Sequence, residues 1–153
     1  MRCLVIGYGN PSRRDDGVGW FVIERLRDLR VWGVECVTAH QLEIEFADAV
    51  QGYDWVIFVD AAVDTQPGQV TVRELAPNVG LHAVNHFLTP EDVLGMCLAM
   101  HGRAPKGILI SIGGADFDFG EGLTEVTQQA GEKVALALKN WLQYGKGQKS
   151  LIG

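Results

Sequence analysis

Three places in the sequence combine residue types and settings suited to chemistry. The Gly-rich stretch "GYGNPSRRDDGVGW" at residues 7–20 includes a pair of carboxylates, Asp15 and Asp16. Asp60 stands immediately after the apolar run "WVIFV". His82 and His86 sit close together just before "TPEDV". In an open α/β sheet, ligand sites form beyond the carboxyl ends of strands whose connections leave on opposite faces. Both aspartate positions read as strand exits of that kind. One aspartate at a helix start is an ordinary N-cap, a role open to Asp15. A second adjacent carboxylate has no cap to make, which singles out Asp16. Asp60 could equally cap the turn after its strand, and a lone loop histidine is usually inert. Two carboxylates converging with an imidazole instead suit a divalent metal with open positions, such as zinc, nickel, iron or manganese.

The same turn invites a phosphate reading, and its details oppose it. A dinucleotide fingerprint wants a third glycine where this chain has Ser12. Pro11 removes a backbone donor that a phosphate cradle would use. Two carboxylates at a helix start repel a pyrophosphate and favour a cation or a neutral polar group. Arg13 and Arg14 could rescue an anion site, but such a pair is more often a solvated loop. Among the other candidates, His40 follows a strand and either lines the same edge or is structural. His101 ends a helix, where a cation is electrostatically comfortable. No Gly-x-Ser-x-Gly elbow is present, and neither Ser12 nor Ser111 has an evident base. Cys3, Cys36 and Cys97 lack the electropositive surroundings of a nucleophile. They read as reduced, mostly buried thiols.

The elements that must carry these residues alternate along the chain. Residues 2–6 are a short apolar run, the mark of a buried strand. Within 17–30, Val18, Phe21, Val22, Leu26 and Leu29 fall on one helical face. Residues 34–38 form a second strand, and 43–50 a helix with Ile44, Ala47 and Val50 inward. "WVIFVD" is β-branched and aromatic, hence a strand. "PGQ" turns into the strand "VTVREL"; residues 64–68 are too few for a crossover helix, so this strand should run antiparallel at an edge. Thr89 is a natural N-cap, Pro90 fits the first helical position, and Glu91 and Asp92 suit the positive end of the dipole. Val93, Leu94, Cys97, Leu98 and Met100 make that helix's inner side, and Gly102 ends it. "GILISIGG" is the last strand, and the acidic "GGADFDFGEG" reads as a flexible, solvated loop at its exit. From Thr124 a final helix presents Val126, Ala130, Val134, Ala137, Leu138, Trp141 and Leu142. The Gly- and Lys-rich tail after 145 should be frayed. The expectation is one α/β domain over 1–153. Its architecture is a three-layer sandwich of about five strands, mostly parallel and twisted, with helices on both faces.

Composition narrows the partners. The 153 residues suit one domain with one core, and 47% hydrophobic with 21% charged residues is ordinary for a globular protein. A net charge of -6 argues against nucleic-acid binding by phosphate neutralisation. No apolar run approaches the roughly 20 residues of a membrane span. No signal-peptide pattern precedes the first strand, and an odd number of cysteines argues against a secreted disulfide framework, so a cytoplasmic protein is expected. Trp20, Trp32 and Phe117 suit either core or a partner surface. A monomer is expected rather than an obligate oligomer.

At these residues the sequence resembles the [NiFe]-hydrogenase maturation proteases, from roughly Met1 to Trp141. "GYGNPSRRDDGVG" is similar to the family's opening Gly-x-Gly-Asn followed by Asp-Asp/Glu-Gly. "VDAAVDTQPGQV", "NHFLTPEDVL" and "GLTEVT" resemble its Asp-Ala segment, its His-containing segment and its last helix start, in the same order. The resemblance implies metal contacts at Asp16, Asp60 and His86, with catalysis by Asp16 and Asp60 in an aspartic-type endopeptidase. It implies removal of a C-terminal extension from a hydrogenase large-subunit precursor after nickel insertion. The nickel would be presented by the substrate as a recognition element. No tightly bound cofactor of the protein's own is implied, although zinc or cadmium could occupy the site in crystals. One departure is the loop "HQLEIE" at 40–45, where many members carry an Asp-Gly-Gly-Thr-like loop. It bears on which large subunit is recognised more than on the reaction. Two other classes compete: a non-catalytic nickel-handling or docking protein, which would bind precursor and leave it intact, and a flavodoxin-like small-ligand module, which would bind nucleotide or flavin.

Overall fold

The structure is a computed structural model that describes residues 1–80 and 87–144. Five strands form one sheet: β1 (Cys3–Tyr8), β2 (Val34–Ala39), β3 (Trp55–Ala62), β4 (Val70–Leu75) and β5 (Lys106–Gly113). Their order is β2-β1-β3-β5-β4. All neighbours pair parallel except β4, which runs antiparallel to β5 at the edge, as the short 64–68 connection requires.

The central strands are buried on both sides, and their side chains sort by alternation. Cys3, Val5, Ile57, Val59, Ile108, Ile110 and Ile112 point to one core. There they meet α1 (Val18–Asp28) and α4 (Glu125–Tyr144) through Val22, Ile23, Leu26, Val134 and Leu138. Leu4, Ile6, Val56, Phe58 and Leu109 point the other way. They meet Val93, Leu94 and Cys97 of α3 (Pro90–His101), with Leu42 and Val50 flanking the short α2 (Glu45–Ala49). The two cores make the expected three-layer sandwich. Each fully buried Leu, Ile or Phe contributes about 1.5–3 kcal/mol, so both faces are needed to hold the sheet.

The punctuation of α3 is as expected. Thr89 Oγ1 accepts from the Asp92 amide at 3.1 Å while Asp92 Oδ2 accepts from the Thr89 amide at 3.0 Å. Pro90 opens the helix, and Gly102 closes it in the left-handed region at φ 75°.

Three inward-facing expectations differ. Ile44 is 58% exposed because α2 begins only at Glu45, which leaves Ile44 as its cap; Leu42 fills the core there instead. Met100 is 57% exposed at the margin of the stripe formed by Val93, Leu94 and Cys97. Val126 is exposed because Thr127 turns inward in its place, drawn by a hydrogen bond described below. Trp32 is 82% exposed, while Trp20 and Phe117 are half-buried. The tail beyond 144 lies outside the described residues. No described helix is long and apolar enough to cross a membrane.

Candidate active site

β1 lies between β2 and β3, so the chain leaves β1 through α1 on one face and later crosses to the other face. A crevice opens at that switch point, beyond the carboxyl ends of β1 and β3. Its approach geometry depends on glycine. A Cβ on Gly7 would lie 2.2 Å from the Gly19 carbonyl oxygen, and one on Gly19 would lie 2.5 Å from that of Val59. α1 therefore packs directly on the two strand backbones. Gly9, at φ 140°, lies against the Asp16 backbone, where a Cβ would come within 2.1 Å of the carbonyl oxygen. The Gly-rich turn thus brings Asp16 to the mouth of the crevice.

Asp16 and Asp60 both line this cleft of ≈ 300 Å³, with Tyr8, Gly9, His40, Gln41, Leu42, and Phe87 on its walls. Asp16 Oδ2 accepts from the Asn10 amide at 2.7 Å. Asp60 accepts from the Tyr8 hydroxyl at 2.8 Å and from the Ser111 hydroxyl at 2.7 Å. Burial pushes the Asp60 carboxyl above its ordinary range; the Ser111 and Tyr8 hydrogen bonds oppose that rise, and the Asp16 charge adds to it. Burial beside Asp60 also pushes the Tyr8 hydroxyl far upward, so it stays a donor.

The turn's backbone amides are turned to the protein's own acceptors and form no phosphate cradle. The amides of Gly9, Ser12, Arg13, Arg14, Asp15 and Asp16 all donate within the protein, as does that of Asn10. Arg14 pairs with Asp116 at 3.3 Å, and Arg13 lies over the Phe119 ring at 4.6 Å. Neither cation is aimed into a cradle, and a phosphate site needs free donors.

Asp15 does not cap its own helix. The turn at Arg14–Gly17 is a 3-10 helix without a side-chain cap. Asp15 is fully buried and accepts from the amides of Ala115, Asp116 and Thr124 and from the hydroxyls of Thr124 and Thr127, at 2.7–3.1 Å. Burial alone would raise its pKa; the Ala115, Thr124 and Thr127 hydrogen bonds outweigh it and hold the carboxyl below the usual range. The loop expected to be flexible and solvated is stitched to the opening turn. Gly120 donates to the Ser12 carbonyl and accepts from the Arg14 amide.

Asp16 and Asp60 both line the cleft, and His40 joins them in its wall, its ring tilted at 56° to that of Trp20 with centroids 5.2 Å apart. His86 and His82 lie outside the described residues. Among the described residues, no three His, Cys, Asp or Glu side chains form a metal-holding group. His101 stands apart, paired with Asp48 at 3.0 Å. The cysteines are free thiols, Cys3 and Cys97 buried and Cys36 half-buried. Tyr8 and Ser111 were not singled out by the sequence as site residues, since both contacts depend on strand register.

No protein-family model matches the chain, and no curated protein sequence matches it. Solved structures do. The [NiFe] hydrogenase maturation protease HycI from Thermococcus kodakarensis KOD1 aligns with a TM-score of 0.74 and 24% identity, over 93% of this chain and 92% of that one. The hydrogenase maturating endopeptidase HybD from E. coli aligns with a TM-score of 0.66 and 25% identity, over 92% and 93%. An endopeptidase from Escherichia coli aligns with a TM-score of 0.72 and 24% identity, over 97% and 96%. Over nearly its whole length, this chain has the fold of the [NiFe] hydrogenase maturation proteases.

Proposed function

We propose that this protein is an endopeptidase that trims the C-terminus of a [NiFe]-hydrogenase large-subunit precursor after nickel insertion. One observation carries the reading: Asp16 and Asp60, from two separate strand exits, face one cleft at the switch point of this fold. Two carboxylates in one cleft repel each other unless a cation or a proton lies between them. A substrate that brings its own nickel supplies that cation. The resemblance to the maturation proteases assigns His86, outside the described residues, as the third contact to the metal. In this reading the protein has no resident cofactor and acts in the cytoplasm as a monomer.

Docking of the nickel places the scissile peptide over the pair. Water attacks the carbonyl carbon, and a carboxylate of the pair takes its proton and returns it to the leaving amine. The nickel stays with the substrate throughout.

Mass spectrometry of a nickel-loaded precursor, with and without the protein, tests this. The expected result is loss of a C-terminal peptide only when the protein is present. A precursor that binds and keeps its full mass would make the chain a docking protein instead.

A further inference from the structure

Tyr8, Asp60 and Ser111 occupy one row across three adjacent strands. Asp60 pairs with Ser111 in the β3–β5 register, and Gly7 pairs with Val59 one step earlier in the β1–β3 register. The row before it, Ile6, Phe58 and Leu109, belongs to the core under α3. The alternation therefore continues from an apolar row into a polar one at the mouth of the crevice. Tyr8 reaches Asp60 Oδ2 from one side, and Ser111 reaches Oδ1 from the other. The Tyr8 ring is itself held edge-on by Phe58 at 6.5 Å.

A carboxylate has about four lone-pair positions, and here each oxygen has given up one. With both oxygens anchored from opposite strands, the carboxylate plane cannot swing. We infer that Tyr8 and Ser111 are positioning residues that preset Asp60 so that its remaining lone pairs meet a divalent cation without reorientation. The inference rests on the proposed function for what the cation is, and on cross-strand geometry for the role of the two hydroxyls. Partners that orient a ligating carboxylate typically govern metal affinity or activity by about 10–100-fold. Merely structural hydroxyls would shift thermal stability and leave cation affinity alone.

The test compares Tyr8→Phe, Ser111→Ala and Ser111→Thr with wild type in two assays: trimming of nickel-loaded precursor, and calorimetric titration of the free protein with Ni²⁺. Tyr8→Phe and Ser111→Ala are each expected to lower kcat/KM for the nickel-loaded precursor and Ni²⁺ affinity by about 10-fold. Ser111→Thr, which keeps the hydroxyl, should restore both. In an Asp60→Asn background, Tyr8→Phe should lower Ni²⁺ affinity no further. Wild-type kcat/KM and Ni²⁺ affinity in folded Tyr8→Phe and Ser111→Ala proteins would overturn the inference while leaving the protease reading intact. A wild-type protein that trims nothing would overturn the protease reading. The Ni²⁺ titration would then decide the inference alone: a drop in the two variants upholds it, and equal affinities or no wild-type binding overturn it.

Discussion

Asp15 and Asp16 are chemically identical neighbours with opposite surroundings. Asp15 is sealed inside the protein among three amides and two hydroxyls that come from the loop after β5 and the start of α4. Asp16 faces the cleft, and among the described residues its carboxylate has one backbone donor, Asn10. A buried carboxylate that accepts from five donors of a distant segment is a fastener. One with lone pairs left over, opposite a second carboxylate, is available to a ligand. The same turn therefore does two jobs. It fastens the last third of the chain from behind and presents a reactive group in front.

Substitutions can break that division. The largest effect is expected from Asp16→Ala, a loss of trimming by about 1,000-fold or more, with thermal unfolding close to wild type. Single-turnover mass spectrometry and calorimetry check the two halves. A comparable loss of stability would make Asp16 a fastener too. Asp15→Ala should do the reverse and lose about 3–5 kcal/mol of stability, because five donors lose their acceptor inside the protein. Urea unfolding measures it.

The pH response sharpens the comparison, because Asp15 and Asp60 are shifted in opposite directions. The folded pKa of Asp15 is depressed, so its stabilisation is full above the unfolded value of 3.8 and fades as pH falls below that. The folded pKa of Asp60 is raised, so its contribution is full below 3.8 and fades as pH rises through the folded value. In acid unfolding followed by circular dichroism, Asp15→Ala should flatten the loss of stability below pH 3.8. Asp60→Asn should compare more favourably with wild type at neutral pH than at pH 3.8. The smallest effect concerns the rim. Phe87 is 73% exposed at the cleft wall, and Phe87→Ser should raise KM for precursor by about 3–10-fold with kcat held. Steady-state kinetics separate the two.

The sequence made the strands and the cleft carboxylates legible for a physical reason. Apolar alternation and strand exits are local properties, and Asp16 and Asp60 sit at such exits. The role of Asp15 was not local. Its donors lie 100–112 residues away, so a helix cap was the nearest reading available. In the sequence Ser111 is a strand serine without an evident base. It became a partner of Asp60 only through the β3–β5 register, which no single strand encodes. Ile44 looked inward because helical periodicity was extended two residues too early, before the chain had entered α2.

The central claim is that one cation bridges Asp16 and Asp60 in the cleft. Anomalous diffraction at the nickel edge, from crystals of the protein grown with Ni²⁺, tests it most directly. A single peak within coordination distance of both carboxylates is the expected result. Saturating Ni²⁺ bound elsewhere, with the cleft carboxylates untouched, would contradict it.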